Sequence, residues 1–217
     1  MPASTPLRSP RRDATENRES LLAAARVVFN RNPSASLEAV AAEAGLSRRS
    51  VYGHFASRDD LLVELVTMGA RRVASALESV THPDPLVRLA LIASRLWREV
   101  EGVRAMAIVA VRGPLAHHTA GALAAIRANV RSAITDGQAD GSMRSDLPVE
   151  RLARLVEDTA LVVLEDSTEH PLSARDGDRL VMLMTLAVVG LGWRDAGSVI
   201  DGRAELAHTW PAEGDQP

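Results

Sequence analysis

The chain has 217 residues, 46% of them hydrophobic, and a formal charge of −3. It holds enough apolar material to bury a core and too little net charge for a disordered polyelectrolyte. Cysteine is absent and all 25 basic residues are arginine, which excludes a disulfide framework, thiolate zinc, a Walker phosphate loop, and cysteine or lysine catalysis.

Residues 1–14 are rich in Pro, Ser and Arg, carry no apolar stretch, and read as a flexible arm and not a secretory signal. Helical spacing starts with Leu21, Ala25, Val28 and Phe29 and stops at Asn32-Pro33. A short second helix follows through Leu37, Val40, Ala41 and Ala44, with Ser36 as N-cap and Gly45 as its stop. A brief third helix spans 48–54. Ser57 and Asp60 form a variant capping box that opens a long fourth helix through Leu61, Leu65, Val73 and Leu77. Further helices are predicted at 84–101, 104–112, 115–139, 149–166 and 176–193, separated by Gly- and Pro-containing breaks. The longest apolar run, Leu180 to Trp193, would rise about 21 Å as a helix, short of a ~30 Å hydrocarbon layer. Strand patterns and hairpin turns are missing, so the fold class is all-α with about nine helices. Residues 196–217 read as a flexible tail.

The informative stretch is SLEAVAAEAGLSRRSVYGHFASRDDL, Ser36 to Leu61. Two short helices joined at a glycine need a small residue where they cross, here Ala41, and a turn residue tolerant of positive φ, here Gly45. Leu46, Val51 and Phe55 supply apolar anchors. Ser47 caps the next helix, whose first turn carries Arg48, Arg49 and Ser50 beside free backbone N–H groups and a positive dipole end. This segment resembles the DNA-binding head of the TetR family of bacterial transcriptional regulators. The match runs through Ala41, Gly45-Leu46-Ser47, Val51-Tyr52, His54-Phe55, Ser57 and Asp60-Leu61, and with Phe29 it covers roughly residues 15–65. Arg58 stands where the family usually has lysine, and Gly53 where a larger polar residue is common.

The resemblance implies a helix-turn-helix DNA-binding domain at 15–60 and a ligand-binding and dimerisation domain at 61–195. It implies phosphate contacts from Ser36, Tyr52, His54 and Arg58 and base contacts from Arg48, Arg49 and Ser50 in the major groove. Arg11 and Arg12, ahead of the first helix, are candidates for the minor groove. Divided at residue 60, the charge becomes +2 on the head and −5 on the remainder. A homodimer on a two-fold operator is implied, its interface drawn from Leu161, Leu164, Leu180, Leu183, Met184 and Ala187 on helices apolar around most of their circumference. Candidate liners of an effector pocket are Trp97, Met106, His117, His118 and Thr159.

Other signals carry less. His117 and His118 diverge by ~100° on a helix and do not chelate one ion. Gly190-Leu191-Gly192 lacks the strand and third glycine of a dinucleotide fold, and no Gly-x-Ser-x-Gly elbow occurs. The reading is a cytoplasmic, non-enzymatic, ligand-responsive regulator without cofactor, metal or membrane association, acting as a repressor released by a small apolar effector. The alternatives are an all-α ligand-binding protein or enzyme with a purely structural helix-turn-helix, and a regulator whose effector promotes DNA binding.

Overall fold

The computed structural model describes the backbone over residues 10–207 and side chains over 14–207, and within them every regular element is helical. The head comprises α1 (Pro10–Arg31), α2 (Leu37–Glu43), α3 (Arg48–His54) and the start of α4 (Arg58–Leu77). The body adds α5 (Pro85–Val100), α6 (Arg104–Arg112), α7 (Ala116–Thr119), α8 (Ala124–Ala139), α9 (Val149–Glu169), α10 (Ala174–Val188) and α11 (Trp193–Asp201). None of the described helices is long and apolar enough to cross a membrane.

Local chemistry sets the boundaries. Ser36, Ser47 and Ser57 each accept a backbone N–H three residues on, at 3.3, 3.1 and 3.1 Å, so α2, α3 and α4 all start on a serine cap. Asp84 does the same for α5, accepting from Leu86 and Val87 ahead of Pro85. Gly45, at φ +66°, closes α2 in a Schellman turn: Leu46 N–H donates to Ala41 and Gly45 N–H to Ala42.

Several boundaries differ from expectation. The helix predicted over 115–139 is two, because the Thr119 hydroxyl, buried, bonds back to Ala110 and Ala116 carbonyls and turns the chain before α8. The helix predicted over 176–193 ends at Val188, where Gly190 at φ +114° makes a second Schellman turn with Leu191 N–H on Leu186. The expected tail is folded through its first part: Ala196, Ile200 and Leu206 are buried against the body, and residues 208–217 lie outside the described residues. The arm is shorter than expected, since α1 already includes Arg11 and Arg12, whose side chains lie outside the described residues.

The packing forms three apolar clusters. The head's core gathers Leu21, Phe29, Val40, Val51, Phe55 and Leu61, and is completed by Met106 from α6. The main body core centres on α5, with Trp97 and Val87 against Leu164, Val181 and Leu186 of α9 and α10. A third cluster joins Leu89, Ile134, Met143, Leu152 and Val189. Helix α4 enters the head core with Leu61 and Leu65 and leaves it for the body core at Val73 and Leu77. A division at residue 60 therefore cuts a continuous helix.

Candidate nucleic-acid interface and effector cavity

The exposed end of the head is built around α3. Its first turn holds Arg48 and Arg49 fully exposed, and Ser50, half-buried, gives its N–H to the Ser47 cap. Val51 and Phe55 point the other way into the core, which fixes the rotation of the helix. Arg48 does not wave freely. Glu38 of α2 forms an ion pair with its guanidinium at 3.1 Å and accepts from the Tyr52 hydroxyl at 3.0 Å, and Arg48 lies 5.6 Å over the Tyr52 ring. Glu38's own backbone N–H, then Tyr52 and Ser36, with a smaller contribution from Arg48, hold its carboxyl below the usual glutamate range. Ser36 and Tyr52 are exposed and His54 is half-buried in the last turn of α3.

Arg58 has a different role from the one expected. Its Nε donates to Ala35 carbonyl at 2.9 Å, another guanidinium nitrogen to Pro33 carbonyl and a third to Asp59, and it lies 5.3 Å over Phe29. The side chain is a brace tying the α1–α2 loop to α4, with most of its directed bonding used inside the head. Arg18, not singled out by sequence, makes a matching brace: it pairs with Glu64 of α4 and covers the Phe55 ring at 4.9 Å. Asn30 donates to Gly102 carbonyl at 3.1 Å and ties α1 to the body.

Behind the head lies a cavity of about 790 Å³, within the range of small-molecule sites. Its wall takes Leu22, Ala23 and Arg26 from α1, Leu65, Met68 and Val73 from α4, and body residues of α5, α6, α8, α9 and α10. Trp97 and Met106 are in this wall. His117, His118 and Thr159 are not: the two histidines sit exposed on α7 with ring centroids 3.8 Å apart, outside the wall. Among the described residues no group of His, Asp and Glu could hold a metal ion.

Residues 21–65 match the family model for bacterial regulatory proteins, tetR family. Over these residues the head is similar to that family. Solved structures share the fold over most of both chains. A tetR-family regulatory protein from Rhodococcus RHA1 is 19% identical, with a TM-score of 0.65 over 82% of this chain and 98% of that one. SmeT, the repressor of the Stenotrophomonas maltophilia multidrug efflux pump SmeDEF, is 22% identical, with a TM-score of 0.60 over 81% and 91%. FadR from Bacillus subtilis, solved with stearoyl-CoA, is 17% identical, with a TM-score of 0.62 over 79% and 98%. No curated protein sequence matches the chain.

Against this tetR-type frame the expected interface residues divide. Leu161 and Leu164 are buried in their own chain's core and cavity wall, so they are not available to a partner. The outward face of α9 is instead Leu155 and Val162, seven residues apart and therefore on one side of the helix. Leu180, Leu183, Met184 and Ala187 line a surface groove between α10 and α11, beside Trp193, which is 72% exposed.

Proposed function

We propose that this protein is a ligand-responsive transcriptional regulator, a repressor that binds a two-fold operator as a homodimer and is released by a small, mainly apolar effector. The observation carrying the reading is the shared wall of the cavity: head helices α1 and α4 and five body helices enclose the same space, so a molecule filling it acts on the helices that support α3. Arg48 and Arg49, in the first turn of a capped helix, suit bidentate contact with guanine O6 and N7. Ser36, Ser50, Tyr52 and His54 flank them as candidates for phosphate and base contacts. The exposed apolar side chains Leu155, Val162, Leu183, Met184 and Trp193 support a helical interface between two copies. SmeT is described as a repressor and FadR is solved with a ligand, which favours the same class here.

Selection of bound fragments from a genomic DNA library should return a two-fold motif with half-sites about one helical turn apart. Arg48→Ala combined with Arg49→Ala should then lose about 1–3 kcal/mol per base contact with an unchanged circular dichroism spectrum. An unselective library, or a double variant that binds as well as the parent, would favour a purely structural helix-turn-helix.

A further inference from the structure

Among the described residues, the cavity wall contains one buried polar group without a partner. Thr185 of α10 is 1% exposed, lines the cavity, and its hydroxyl has no hydrogen-bond partner. Other hydroxyls on helices of this molecule return to the carbonyl four residues back, Thr135 to Arg131 at 2.9 Å and Thr168 to Leu164 at 2.9 Å. The Thr185 hydroxyl makes no such bond to the carbonyl of Val181. Another polar atom of the wall is satisfied: Trp97 gives its indole N–H to Ala174 carbonyl at 3.1 Å. Thr185 is the single residue that both lines the cavity and carries an unpartnered buried polar atom among the described residues.

We infer that Thr185 is the specificity-determining anchor of the effector, and that the effector is an uncharged, largely apolar molecule carrying one hydroxyl or ketone oxygen directed at it. A buried hydroxyl without a partner is unfavourable, and a ligand oxygen of matching position removes that penalty. A charged group buried against Thr185 would not be balanced by that neutral hydroxyl, and the ordinary cost of burying a charge would apply. Nor does the rim select an ion. The two wall arginines without an ion pair among the described residues, Arg26 and Arg131, are matched by two unpaired wall glutamates, Glu19 and Glu150.

This assignment rests on the cavity being the effector site, so binding is measured separately from release. Calorimetry on the full-length chain without DNA compares 2-naphthol, 2-methylnaphthalene of the same shape, and 2-naphthoate. 2-Naphthol is expected to bind about tenfold tighter than the methyl compound, and 2-naphthoate weakest. Thr185→Val should erase the preference while leaving 2-methylnaphthalene unchanged and raising the melting temperature of the ligand-free protein. Thr185→Ser should keep the preference. Equal binding of the first two probes, a preference that persists in Thr185→Val, tightest binding of 2-naphthoate, or no binding by any probe overturns the assignment. If the predicted pattern appears yet saturating 2-naphthol leaves the operator complex intact, the anchor stands and induction through this cavity fails.

Discussion

At the scale of single residues, Glu38 does the most for the recognition surface. One carboxylate oxygen collects the Arg48 guanidinium and the Tyr52 hydroxyl and so holds Arg48 over the Tyr52 ring before any DNA arrives. An exposed pair of this kind is weak and screened by salt, so under the proposed function a guanine edge would displace it readily. Because the folded carboxyl titrates below its ordinary value, the clamp is fully present above the unfolded glutamate range and is lost as pH falls through the lower, folded value. A carboxyl-detected NMR titration should place Glu38 below a free glutamate, and Tyr52→Phe should move it upward. An unchanged midpoint in Tyr52→Phe would show that the hydroxyl contributes nothing. Arg58 illustrates the converse. A cation at a helix start reads as a phosphate ligand from sequence, but its backbone acceptors, Ala35 and Pro33, lie more than twenty residues earlier and are visible only once the chain folds.

At the scale of elements, α3 carries the region's mechanical weakness. Gly53 sits inside its last turn with a normal helical backbone, and a Cβ placed there meets nothing within 4 Å. Gly53→Ala should therefore stabilise the head by about 0.5–1 kcal/mol. Gly45→Ala, forced into the left-handed region at φ +66°, should cost about 1–2 kcal/mol. Urea unfolding of the two variants measures both signs, and equal effects would contradict the turn geometry. The elements legible from sequence were those whose signals are local: the serine caps, the Gly45 stop, the register of Val51 and Phe55, and the all-helical class. Helix rotation was not legible for α9. An apolar run around most of its circumference cannot say which residues face their own core, and it is packing against α6, α8 and α10 that turns Leu161 and Leu164 inward and Val162 outward. The cavity was legible only through Trp97 and Met106. Thr185 is a single polar residue within an apolar run of the sequence, and its missing partner is a property of the assembled wall.

At the scale of the molecule, charge and coupling decide behaviour. Under the proposed function, a head of +2 on a remainder of −5 would favour DNA at one end, and phosphate contact would make affinity fall with salt by about one unit of log–log slope per phosphate neutralised. If an effector in the cavity loosens operator binding, linkage requires the operator to loosen effector binding by the same factor. Titrating 2-naphthol into free protein and into protein saturated with operator should show that equal factor, and identical affinities would refute induction. Met106 adds a constraint of a different kind. It belongs to a body helix yet completes the core of the head, so the reading head is not a portable cassette. A hybrid regulator made by joining residues before 66 to another sensor would inherit an unfilled hole. Exchange between relatives would succeed only where α6 travels with the head, and the unit of modular design in this protein is discontinuous along the chain.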